Sequence, residues 1–444
     1  MLRRDLLAML GLGFSQAHAI SKSSSSGPNY TQFKGQTVVM SVPAHPHLDA
    51  MIELIGLFTR ETGIKVELDR VDMEHIKGKQ LRQLHRPQSD YDVLSYISMW
   101  KTEYVAKGLI QELQPFFANP KLSDPHYDFQ DLVPAFVENV GLVGGPKGYL
   151  AGEGARLYGL PYGAETSIMA YRRDVFDRLG LLPPQTYSQL TALLPLLKDK
   201  SNMGALTSRG KSGHQCVHAW LLHLNPLGGR VFDDHWRCAF DQPEGVEALQ
   251  TLKLIKDTGP SDIAYFGQGE MVDSFIQGQS SLYIDSTLIF SLINKQASRK
   301  LKEKFAFALH PKGLVHSSES GGLGLAVASH AKNPEAAFLL IQWLTSKAQD
   351  KAVCQLGGLP ARLSTVKDPS LSQKMPELAL LAQQLKYINA DWRPIIAQWD
   401  AINVEELGVA VFQGMNGEKT PFSALNDVAP TVSQRMLKAG YTSL

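Results

Sequence analysis

The sequence predicts an α/β protein built as two lobes, and three observations carry that expectation. A strand–helix–strand rhythm opens the chain, a similar rhythm returns after residue 165, and three Gly/Pro-rich segments stand where the chain would cross between lobes. Gln36 to Val42 is a short β-branched run, Leu48 to Thr59 carries apolar residues at helical spacing, and Gly63 stops that helix. Ile64 to Val71 alternates like a strand, a helical stretch covers Ile76 to Leu84, and Asp92 to Tyr96 reads as a third strand. This is the pattern of a doubly wound sheet with parallel strands.

The second lobe reads similarly. Strands are expected at Ile168 to Tyr171 and Ser281 to Asp285, and helices at Tyr187 to Leu197, His214 to Leu224 and Pro243 to Lys256. Near Gly321 to Ala328 another apolar strand appears. An amphipathic helix follows from Asn333 to Ser346, opened by proline in its first turn, and the tail from Met375 is mostly helical. The expected crossings are Tyr158 to Glu165, Gly321-Gly322-Leu323-Gly324 and Gly357-Gly358-Leu359-Pro360. The lobes are then residues 36–160 plus 323–357, and residues 164–320 plus 360–444.

Composition narrows the partners. With 44 Lys+Arg against 43 Asp+Glu the formal net charge is +1, so no global field draws in nucleic acid or an anionic membrane. Arg3 and Arg4 before the apolar run Leu6 to Phe14, with Ala17-His18-Ala19 behind it, have the order of an export signal. Residues 1–19 are therefore expected to be a signal peptide cut near Ala19, and 20–35 a serine-rich flexible leader. The twin arginines leave a twin-arginine route open beside general secretion. Cys216, Cys238 and Cys354 permit one disulfide at most, between Cys216 and Cys238, or none.

A search for chemistry returns little. There is no phosphate loop, no dinucleotide fingerprint and no hydrolase signature, so no cofactor is expected. His214 and His218 share a helix face at a spacing that suits a metal, without a third ligand at a telling distance. Glu165 and Asp285 stand as an acid/base pair if the protein is an exported carbohydrate-active enzyme. In an open α/β sheet, ligands bind beyond the carboxyl ends of strands, where Tyr96 and Asp285 would lie.

The segments also resemble a known family. Arg156-Leu157-Tyr158-Gly159-Leu160-Pro161-Tyr162, Met169-Ala170-Tyr171-Arg172-Arg173-Asp174-Val175-Phe176 and Pro183-Pro184-Gln185-Thr186-Tyr187 are similar to the central signature of extracellular solute-binding proteins of sugar ABC transporters. Phe275 to Gln279 with Leu282 to Ser286, and Lys332 to Ala337 with Leu359 to Arg362, resemble its later blocks. Leu206 to Gly213, Gly228 to Asp233 and Tyr283 to Thr287 look like the polyol-binding branch, which takes up sorbitol and mannitol. That branch has tryptophans where this chain has Gly321-Gly322-Leu323-Gly324, which suggests a roomier pocket.

The resemblance implies a periplasmic-binding-protein-like fold: two Rossmann-like lobes, a multi-crossing hinge, and a ligand held by hinge closure. It implies a periplasmic monomer that is not an enzyme, binds a small carbohydrate and delivers it to an ABC permease and ATPase complex. Hydroxyls buried in such a site need partners. Glu165 and Asp285 are the expected acceptors, Arg209 and Arg393 the donors, and Trp100, Tyr162 and Trp392 the platforms. His45 and His47 are expected at the rim, and Tyr96 and Gly322 complete the set. Two carboxylates against two arginines suggest a neutral ligand, larger than a six-carbon polyol. A same-fold binder of a metal or charged solute is the further alternative.

Overall fold

The computed structural model describes residues 28–441, so the signal peptide and the first half of the leader, residues 20–27, lie outside the described residues. Within it the chain divides into two compact units. The first runs up to Ala164 and adds Gly321–Met375 and Ile395–Ala397; the second holds Glu165–Ser320, Pro376–Pro394 and Gln398 onward.

The first unit is built on a five-stranded sheet in the order 65–71, 37–43, 93–97, 321–327, 160–165. Thr37–Pro43 pairs in parallel with Lys65–Val71 and with Val93–Ile97, as the opening rhythm predicts. Gly321–Val327 is antiparallel to Val93–Ile97, so the sheet is mixed and not wholly parallel. In that register Gly324 sits opposite Tyr96. A Cβ at Gly324 would come 2.3 Å from Val140 Cγ1 and 3.0 Å from the Tyr96 ring, so only glycine admits this pairing.

The helix Pro46–Thr62 begins two residues before the first predicted apolar residue, because His45 caps it by accepting from the backbone N of His47 at 3.2 Å. Residues 360–375, expected with the second lobe, pack in the first unit. Arg362 explains this: fully buried, it donates to the Thr345, Asp128 and Tyr127 carbonyls at 2.7, 2.9 and 3.0 Å. The Gly357–Pro360 turn is therefore internal. Gly358 leaves room for His47, whose Nδ1 accepts from the Leu359 backbone N at 2.9 Å.

The second unit carries a four-stranded sheet in the order 305–308, 167–172, 280–286, 204–207. Gly204–Thr207 runs parallel to Ser280–Ser286, while Ser167–Arg172 is antiparallel to it, with Ile168 opposite Asp285. The helices Tyr187–Lys200, His214–Leu224 and Pro243–Thr258 form where helical periodicity predicts them. Thr186 starts the first of these with a capping box to Gln189. None of the three cysteines is in a disulfide, and Cys216 and Cys354 are buried, so the Cys216–Cys238 bond left open by the sequence does not form. No described helix is long and apolar enough to cross a membrane.

Candidate functional site

The register of the second sheet assembles a polar cluster at the carboxyl ends of its parallel strands. Thr207 pairs with Tyr283, so two residues further on Arg209 meets Asp285. The guanidinium grips the carboxylate with two bonds, Nε to Oδ2 at 2.9 Å and Nη2 to Oδ1, and both residues are buried. Burial opposes the Arg209 charge, but the paired Asp285 carboxylate outweighs it and lifts the guanidinium pKa. The antiparallel neighbour places Glu165 beside Ser286, whose hydroxyl donates to it. Burial pushes the Glu165 carboxyl up, partly offset by the Ser286 hydrogen bond and Arg209.

A third carboxylate completes the cluster. Glu319, 2% exposed, comes from the segment just before Gly321. Its backbone is gripped on both sides: its carbonyl accepts from Thr166 Oγ1 at 2.7 Å and its N–H donates to Ser167 Oγ at 3.4 Å. Both carboxyl oxygens of Glu319 are buried without a hydrogen-bond partner, and so are both ring nitrogens of His218. His218 Nε2 lies 3.3 Å from Glu319 Oε2 and 3.7 Å from Asp285 Oδ2. Burial, with Arg209 and His214 nearby, pushes His218 down, so its ring is neutral. Burial, then Glu165 and Asp285, push Glu319 well above the usual carboxylate range.

Trp392 and Arg393 close the group from one short segment. The Trp392 indole N–H donates to the Ser320 carbonyl at 2.6 Å, its ring meets His218 edge-on at 5.2 Å, and the Arg393 guanidinium lies 4.6 Å from its centre. Burial lowers Arg393 to about 10, so it stays charged at neutral pH, with Glu319 and Glu165 supporting the charge.

The second unit therefore brings together Glu165, Arg209, Asp285, Trp392 and Arg393, all predicted from sequence. Asp285 differs in role: Arg209 takes both its oxygens, and the open acceptor is Glu319, which sequence reading missed. The one available signal was a carboxylate among serines directly before a glycine cluster, with nothing local to show what would surround it.

The predicted residues of the first unit have other roles. His45 is a helix cap, and His47 accepts from Leu359 with its ring edge-on to Tyr162 at 4.4 Å, so neither is placed as a rim donor. Tyr96 is fully buried and donates to the Val140 carbonyl at 2.8 Å. Gly322 lies in the strand Gly321–Val327 at φ +94°, a backbone position and not a wall. The space at Gly324 is filled by Val140 and Tyr96, so the glycine cluster is no evidence for a roomier pocket. Trp100 and Tyr162 differ from these, since the Trp100 indole nitrogen and the Tyr162 hydroxyl are buried without a partner.

One atom each from His218, Asp285 and Glu319 lie within 4.8 Å of one another, a spacing a metal ion could use. The surroundings argue otherwise. Asp285 is committed to Arg209 through both oxygens, which leaves only His218 and Glu319 to hold an ion, fewer ligands than a metal site needs. Hydroxyl groups, which both donate and accept, fit this mixture of orphaned acceptors and ring nitrogens better.

Comparisons place the chain among known proteins. Over 98% of its length it is 24% identical to a Sinorhizobium fredii protein named "Probable amino-acid ABC transporter periplasmic-binding protein", with 96% of that protein covered. Over 79% it is 25% identical to the mannitol-binding protein of Pseudomonas aeruginosa, covering 81% of it. An Agrobacterium radiobacter K84 solute-binding protein solved with ribitol superposes with a TM-score of 0.80 at 24% identity, covering 90% of this chain and 99% of that one. The fold is thus periplasmic-binding-protein-like, as the resemblance implied. The model of the bacterial extracellular solute-binding proteins matches residues 44–351, and the chain belongs to that family, whose members serve ABC transporters as binding proteins.

Proposed function

We propose that the protein captures a carbohydrate or polyol in the periplasm and delivers it to an ABC permease and its ATPase, acting as a monomer and without chemistry of its own. The observation that carries this is the orphaned pair Glu319 and His218, buried beside Arg209, Asp285, Glu165 and Arg393. A buried polar atom without a partner costs on the order of 1–3 kcal/mol, and native proteins leave few of them. Carbohydrate hydroxyls satisfy such atoms in pairs, accepting from an arginine while donating to a carboxylate. Trp100 and Tyr162, each with one buried unpartnered polar atom, are kept as proposed ligand contacts. The relatives named or solved with mannitol and ribitol support the ligand class.

The test is a thermal-shift panel of polyols, mono- and disaccharides and α-amino acids on the mature protein, with and without chelator. A ligand at 100 times its Kd adds about 2.7 kcal/mol of stability. Stabilisation by a sugar or polyol, unchanged by chelator and with the ligand recovered intact, is the expected result. Stabilisation by amino acids alone would overturn the carbohydrate reading, and turnover of the sugar would favour an enzyme using Glu165 and Asp285.

A further inference from the structure

Resting on the carbohydrate reading, we infer that the ligand carries a cationic amine, as an amino sugar or amino-polyol does, and that Glu319 is its counter-ion. The charges facing Glu319 come from four places in the second unit. Glu165 and Asp285 flank it from the sheet, Arg209 from the strand end, His218 from its helix with His214 against its ring, and Arg393 from the segment after Trp392. Asp285 and Arg209 cancel as a bidentate pair. Arg393 compensates one of the two remaining carboxylates, and both histidines are neutral because burial pushes them down, His214 to about 3. Among these groups of the second unit, three carboxylates against two guanidiniums leave one negative charge uncompensated.

Geometry says which carboxylate that is. Glu165 accepts from Ser286 and Asp285 from Arg209, whereas neither Glu319 oxygen accepts a hydrogen bond. The neutral balance expected from the sequence counted two carboxylates and omitted this one. A fully buried carboxylate cannot stay charged and unpaired, so in the ligand-free protein Glu319 holds a proton. An arriving ammonium donates hydrogen bonds to its two oxygens and takes the role of the missing cation, and the carboxyl proton passes to solvent. A hydroxyl in the same place would meet a neutral acid and release no proton.

The experiment compares matched pairs by calorimetry at pH 7: glucamine against sorbitol, and glucosamine against glucose. The amine member should bind at least tenfold tighter in one pair, with close to one proton released per ligand, read from the dependence of the heat on buffer ionisation. Glu319→Gln, nearly the same shape, should fold normally by its melting curve, lose the tenfold preference and release no proton. Equal or tighter binding of the hydroxyl members overturns the amine inference and leaves the carbohydrate reading intact. A preference unchanged in Glu319→Gln overturns the assignment to Glu319. Failure of the four probes and of every sugar in the thermal-shift panel overturns both.

Discussion

The two units bury charged side chains in opposite ways. In the first, the buried cations are saturated by backbone carbonyls. Arg362 is surrounded by carbonyls, Lys101 donates to the Glu138 and Tyr149 carbonyls at 2.6 and 3.0 Å, and Tyr96 donates to Val140. Those contacts hold loops to the sheet and leave nothing for a ligand. In the second, charged groups face one another around Glu319 and His218, whose polar atoms stay open. A buried charge satisfied by carbonyls is architecture, whereas a buried charge with open lone pairs marks where something else must arrive.

That contrast is sharpest at Asp285. The sequence alone suggests that Asp285→Ala weakens binding far more than folding. The bidentate pair revises this, because removing the carboxylate strands the Arg209 charge in the interior, at a cost of about 3–5 kcal/mol. Asp285→Ala should therefore lose that much stability in chemical denaturation, while Glu319→Gln stays close to the parent protein. Equal stability of the two variants would break the distinction between an architectural and an open carboxylate.

The next largest effect is acid sensitivity confined to the second unit. His214, His223 and His310 are pushed down to about 3, 4 and 3, in each case chiefly by burial. A depressed folded pKa means that the unfolded chain takes up protons first. The stability these residues contribute is full above about 6.5 and is lost as pH falls towards 4 and 3, by about 1.4 kcal/mol per pH unit for each histidine. Glu165 and Glu319 act in the opposite direction: their raised values give stability that is full below about 4.5 and lost as pH rises. Hydrogen exchange at pH 7 and pH 5 should show the amides around His214–Leu224 losing protection ahead of those in Thr37–Pro43. Equal loss in both units would remove the acid contrast.

Local chemistry made the elements legible and the cluster only partly so. The run predicted at Gln36 to Val42 forms Thr37–Pro43, and Ser281 to Asp285 lies within Ser280–Ser286, because β-branched runs and flanking glycines act on their own neighbourhood. The antiparallel entry of Gly321–Val327 has no such signal, since it depends on Gly324 fitting against Tyr96 and Val140, far away in sequence. Glu319 was hidden for the same reason: Thr166 and Ser167, some 150 residues earlier, hold its backbone. Arg209, Asp285, Trp392 and Arg393 were found because their residue types suit a hydroxyl-binding site wherever they fall, although type alone did not reveal that Arg209 and Asp285 are spent on each other.

The smallest effect separates two tyrosines that look alike in sequence. Tyr96 and Tyr162 are both buried in the first unit, yet Tyr96 donates to the Val140 carbonyl while the Tyr162 hydroxyl has no partner. Deleting a hydroxyl that is bonded leaves its acceptor unpaired, at about 1 kcal/mol, whereas deleting an unbonded one removes a desolvated group and is neutral or slightly stabilising. Tyr96→Phe should therefore lower stability by about 1 kcal/mol and leave ligand affinity alone. Tyr162→Phe should keep or raise the stability of the free protein and, under the proposed ligand contact, weaken binding by a few-fold. If Tyr96→Phe loses affinity instead, the saturated groups of the first unit also serve the ligand, and the contrast between the units holds for charged side chains alone.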